Sequence, residues 1–209
     1  MSASILADTS VEQRFLFRKA KTNKGGIFEA TRQAILKGDV RFAEADITHR
    51  SDISGGSSIK DLLLPTNDKV VGLSDLQGSM LDPGVNAAIG RLKVGYAAND
   101  PVANPNFTAA DVIYSSDIAL FPKELLNAKL QFIQDGKQLL SLPVSRFTTA
   151  AKSSKVQGVE DVLHLNTLML LVERKDIKVR LEFSPSQVMP AGVQHFLEVR
   201  LMGTQTEPK

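Results

Sequence analysis

An all-β fold of the sandwich type is what this sequence of 209 residues predicts, on three observations. Ile177, Val179, Leu181 and Phe183 alternate with Lys178, Arg180 and Glu182, and Leu197, Val199 and Leu201 alternate with Glu198 and Arg200. Period-two alternation with charge on every second position describes a sheet with one buried and one wet face. Leu126, Ala128, Leu130 and Phe132 alternate ahead of Asp135-Gly136, and Leu140, Leu142 and Val144 alternate after it, the clearest hairpin signal in the chain. Neither a convincing long helix nor a repeat of fixed period accompanies these patterns.

From the N-terminus, residues 15–20 read as a strand, and Thr22-Asn23-Lys24-Gly25-Gly26 supplies residues that tolerate positive φ, which predicts a hairpin. Residues 27–36 read two ways. Ile27, Ala30, Ala34 and Ile35 fit a helix face, whereas the Lys37-Gly38-Asp39 break fits a hairpin into a strand over 40–48; the strand reading is preferred. In that next strand Val40 and Phe42 share one parity while Ala43, Ala45 and Ile47 share the other, which predicts a bulge.

Residues 51–89 turn to Gly, Ser, Asp and Pro around apolar islands at Leu62-Leu63-Leu64, Val70-Val71 and Leu73. Such a stretch reads as an irregular insertion that packs on the body or on another subunit, with a short strand ahead of Pro65. Leu92, Val94 and Tyr96 mark a further strand, and Val112 to Tyr114 form a short apolar group after the Asn104-Pro105-Asn106 patch. Pro143 places the second hairpin arm at a sheet edge or ends it. A polar connector over 148–160 precedes residues 163–172, read as a strand buried on both faces or a core-facing strand with a bulge. Nine to eleven short strands result, and an eight-stranded double-sheet jelly roll with insertions accommodates them.

The chain has 43% hydrophobic and 23% charged residues and no Cys, so it reads as one globular domain without disulfides or thiolate chemistry. Residues 1–26 form a basic N-terminal segment and 27–209 a single β-sandwich domain with its irregular insertion at about 51–89. The first ten residues lack the pattern of a secretory signal, and no run of 18 apolar residues occurs, which predicts a soluble protein made in a cytoplasm. Residues 1–24 hold Arg14, Arg18, Lys19, Lys21 and Lys24 against Asp8 and Glu12, a net +3, so the remaining 185 residues carry −1 of the chain's total of +2. Those five cations are candidates for contact with phosphates or anionic headgroups; the competing reading is a solvated edge strand defended by charge.

His49, His164 and His195 are far apart and belong to no H-x-H or H-E-x-x-H cluster, so no metal and no cofactor is implied. The close histidine pair of a cupin-type enzyme is missing, as are the nucleophile elbow, the phosphate loop and the dinucleotide fingerprint. No catalytic residue is nominated. Arg14-Phe15-Leu16-Phe17-Arg18-Lys19 interleaves cations and aromatics as single-strand readers do, but only once and in a chain without Trp.

The hairpin LLNAKLQFIQDGKQLLSLPVSRF and the closing pair DIKVRLEFSPSQVMPAGVQHFLEVRLMG resemble jelly-roll coat proteins of icosahedral phages, membrane-containing or related small-genome ones, over residues 120–203. The resemblance implies a single jelly roll acting as a non-enzymatic virion subunit that forms trimers or pentamers and tiles a shell beside other virion proteins. It implies residence in the virion after cytoplasmic synthesis, with Arg14, Arg18, Lys19, Lys21 and Lys24 turned toward packaged nucleic acid or a membrane surface. Leu62, Leu63 and Leu64 become candidate subunit contacts. The alternatives are an oligomeric β-sandwich binding or scaffold module, which would present an exposed aromatic platform, and a jelly-roll enzyme with clustered His or carboxylates.

Overall fold

The computed structural model describes residues 10–148, 162–185 and 187–209. Eight strands are named among them: β1 (Val40–Asp52), β2 (Ile59–Asp61), β3 (Ala87–Asn99), β4 (Lys129–Gln134), β5 (Lys137–Pro143), β6 (Leu163–Leu171), β7 (Ile177–Glu182) and β8 (Gln194–Pro208). They form two antiparallel four-stranded sheets, in the orders β1-β8-β3-β6 and β2-β7-β4-β5. Ile47, Leu92, Val94 and Leu201 from the first sheet and Leu130, Phe132, Val179 and Leu181 from the second share one core, so the fold is a β-sandwich. The alternations predicted at Leu130 and Phe132, Leu140 and Leu142, 177–183 and 197–201 are core-facing strand positions, and the Asp135-Gly136 hairpin joins β4 to β5; Leu126 instead ends a helical turn (Lys123–Leu126), Ala128 precedes β4, and Val144 opens a 3-10 turn (Val144–Phe147). β5 lies at a sheet edge and ends at Pro143, where the missing amide donor costs no ladder bond.

The N-terminal expectation is corrected. Residues 15–20 are helical, within α1 (Val11–Thr22), and residues 27–36 lead into and form most of α2 (Glu29–Lys37) rather than strands. Ser10 and Gln13 build a capping box that satisfies two backbone donors at the start of α1. Left-handed Asn23 (φ 52°) ends α1, so the turn residues after it connect two helices instead of closing a β-hairpin. Gly38 (φ 80°) stops α2: its N–H donates to Ile35 and Asp39 N–H donates to Ala34, a glycine helix stop in place of the predicted hairpin. Arg32 of α2 donates to the Ala20 carbonyl near the end of α1, tying the pair together across the boundary at residue 26.

This helix pair also explains the parity switch in β1. The β1/β8 register runs without a break from Val40↔Pro208 to Asp52↔Phe196, so there is no bulge there. Val40 and Phe42 pack outward with Ala20, Ile27 and Ile35, whereas Ala45 and Ile47 pack inward into the sandwich core. One strand buries opposite faces at its two ends because helices cover only the first.

The irregular 51–89 region closes the free edge of β1. Arg50 N–H donates to Leu73 and Asp75 N–H donates to Thr48, so residues 73–75 run along a strand edge that would otherwise expose unpaired amides. Residues 51–52 and 87–89 belong to β1 and β3, and between them the named strand is β2, just ahead of the leucines. Ser115 exchanges two backbone hydrogen bonds with Tyr96 and covers the part of β3 that β6 does not reach; the 112–114 group holds no strand.

β6 takes the bulged of the two predicted forms and is an edge strand, not one buried on both faces. Its register on β3 passes from Ile89↔Met169 to Arg91↔His164, five steps on β6 against two on β3. Gly90 sits at the slip. A Cβ there would lie 2.9 Å from the Glu12 carboxylate and 3.1 Å from Leu168, so glycine lets α1 and the bulged strand converge. The predicted connector over 148–160 falls almost wholly outside the described residues.

Candidate interaction face on helix α1

Helical spacing sorts the N-terminal cations in a way no strand would. Leu16 and Ala20, four residues apart, are fully buried against the body, and Phe17 packs beside the α2 cluster. Arg14, Arg18 and Lys21 therefore share the opposite, exposed stripe. Lys19 is half-buried, with Nζ 5.1 Å from the centre of the Phe15 ring, and the Arg18 guanidinium lies 5.9 Å from the same ring. Lys24 is exposed in the connection to α2. None of the five forms an ion pair with a described residue. Exposed Arg174, whose guanidinium lies 5.9 Å from the Phe28 ring, adds a sixth cation, which the sequence reading did not nominate.

Between α1 and β6 lies a recess of about 380 Å³ lined by Val11, Arg14, Phe15 and Arg18 on one wall and Asn166, Thr167 and Leu168 on the other. Among the described residues no carboxylate lines it. Glu12, the acid of α1, turns toward Gly90 and the sheet. The bulge of β6 makes the second wall, and nothing in the helical or strand periodicity announced it. An arginine-rimmed recess with an apolar floor can hold an anion that carries a flat apolar group.

The histidines occupy three different places. His164 is exposed. His49 is buried and its Nε2–H donates to the Leu62 carbonyl at 2.9 Å, while Nδ1 has no partner among the described residues; burial pushes its pKa below the ordinary value. His195, at the start of β8, is buried: Nε2–H donates to the Pro190 carbonyl at 2.9 Å and Nδ1 accepts from the Tyr96 hydroxyl at 2.7 Å. Pro190, in the connection that leads into β8, supplies part of that cover. Among the described residues no group of three His, Cys, Asp or Glu could hold a metal ion.

Leu62 and Leu63 are consumed by the protein's own core, at 4% and 1% exposure, which leaves Leu64 as the exposed member of the three. Val71 (99% exposed), Ile113 (93%) and Val102 (89%) are the most exposed large apolar side chains among the described residues. Comparison with protein families, with curated proteins and with solved structures finds no match to this chain.

Proposed function

We propose that this protein is a coat subunit that assembles with copies of itself into an icosahedral shell. The observation that carries the reading is the strand order. β1 pairs with β8, β2 with β7, β3 with β6 and β4 with β5, and these pairs fall alternately into the two sheets. A single long hairpin, closed at Asp135-Gly136 and wrapped around a barrel axis, produces that order, and it is the wrapping of an eight-stranded jelly roll.

Four features favour a shell subunit over the other uses of such a wrap. The space between the sheets is filled by Leu92, Leu130, Phe132 and Leu181, all fully buried, rather than hollowed around a site. Both tyrosines are spent inside the molecule, Tyr96 on His195 and Tyr114 on the Ala109 carbonyl and the Arg50 guanidinium, which argues against an aromatic carbohydrate platform. Val71, Val102 and Ile113 offer apolar loop tips that neighbouring copies would bury. Arg14, Arg18, Lys19, Lys21 and Lys24, without ion-pair partners among the described residues, supply a basic surface for packaged nucleic acid or a membrane surface.

The test is light scattering on a size-exclusion column followed by negative-stain microscopy of the same sample. Trimers, pentamers or closed particles are expected. A monomer that persists at high concentration would overturn the reading and favour a binding module.

A further inference from the structure

We propose that the recess between α1 and β6 binds single-stranded nucleic acid, seating one unpaired base against Phe15 while Arg14, Arg18 and Lys21 contact the flanking phosphates. The site is complete within one chain, so it stands or falls apart from self-assembly.

Two independent features meet at this place. The first is charge: three cations on one helix stripe, without ion-pair partners among the described residues, span about 10 Å at 1.5 Å per residue. The second is a surface for a base. Val11, Phe15 and Leu168 make an apolar floor, and at about 380 Å³ the recess is large enough for a base and its sugar. Asn166 and Thr167 stand exposed at the rim with side chains that bond to no described residue, free to meet a base edge. Sequence-tolerant readers of single strands combine these two elements, a cationic track and an aromatic face.

The same geometry selects among anionic partners. A membrane-surface helix needs an apolar face to insert, and α1 has spent Leu16, Ala20 and Phe17 on its own body. Paired bases are stacked inside a duplex and cannot enter a recess beside Phe15.

Fluorescence anisotropy of full-length protein with a labelled oligothymidylate tests this, with the annealed duplex and phosphatidylserine vesicles as competitors. Three phosphate contacts predict a slope of log affinity against log salt of about −2, at roughly −0.7 per phosphate for a single strand. Arg14→Gln with Arg18→Gln should reduce that slope to roughly −0.7. Phe15→Leu should weaken binding about tenfold while leaving the slope unchanged, because it removes stacking and not charge. Thermal melts of each variant establish folding; the two arginine positions are exposed, so that arm survives if Phe15→Leu unfolds. Absence of single-strand binding at low salt would overturn the proposal. So would equal competition by duplex or vesicles, or affinity indifferent to all of these substitutions.

Discussion

The Tyr96 hydroxyl donates to Nδ1 of His195 at 2.7 Å, and the other ring nitrogen of His195 donates to the Pro190 carbonyl at 2.9 Å. A strand of the first sheet is thereby linked through a buried imidazole to the connection that leads into β8. Removing the hydroxyl with Tyr96→Phe leaves a buried acceptor unsatisfied and should cost about 1–3 kcal/mol. Urea unfolding of the variant measures it, and a double-mutant cycle with His195→Gln should show that the two residues are coupled.

Both tyrosines resist ionisation. Burial pushes Tyr96 up to about 12 and raises Tyr114 as well. An unfolded phenol ionises near 10, so between about 10 and 12 the unfolded state holds fewer protons and stability falls as pH rises. Tyrosinate absorbance should appear together with loss of β-sheet circular dichroism, not before it.

His49 sets the acid side. Its pKa is lowered by burial, so the folded state prefers the neutral ring; stability should be full above the unfolded value of about 6.5 and decline as pH falls below it. His49→Gln should flatten the change in urea midpoint between neutral and mildly acidic pH. An unchanged profile would mean that the ring does not report on the Leu62 contact.

Of the three arginine–carboxylate pairs that join β1 to β8, Arg50–Glu198 and Arg41–Glu207 differ sharply in setting. Arg50 binds Glu198, whose side chain is 8% exposed, and also reaches the Gly72 carbonyl and the Tyr114 ring. Arg50→Ala strands a buried carboxylate and should cost about 3 kcal/mol. Arg41 binds Glu207 in solvent, and Arg41→Ala should leave the melting temperature within experimental scatter.

Gly203 packs where β8 comes closest to β3: a Cβ there would overlap the Ala88 carbonyl oxygen. Gly203→Ala should destabilise by about 3 kcal/mol, because backbone and not a flexible side chain must yield. Soluble yield and melting temperature check it, with Gly56→Ala, which meets open space, as the control.

Where one face of a strand is buried and the other wet, its register is written in alternation, and β4, β7 and β8 could be read directly from residues 130–134, 177–183 and 197–201, although the alternation from Leu126 overran β4 into a helical turn. The helices hid behind two coincidences. Phe15 and Phe17 alternate with charge like a strand, although the capping signal Ser10-Val11-Glu12-Gln13 was present and names a helix start. Lys37-Gly38-Asp39 serves a helix stop as well as a hairpin, since both need a residue at positive φ. The recess was not legible at all: one wall comes from α1 and the other from a bulge more than 140 residues later, and no local pattern couples them.

By itself, then, the sequence determined the β class, the Asp135-Gly136 hairpin, the edge position of Pro143 and the excess of N-terminal charge, because each depends on residues near one another in the chain. Tertiary structure alone decided which cations share a face, that β1 buries opposite faces at its two ends, that Leu62 and Leu63 belong to the core, and that His195 meets Tyr96. Those outcomes depend on which distant segment arrives to cover a given surface, and burial, unlike periodicity, is a property of the partner as much as of the residue.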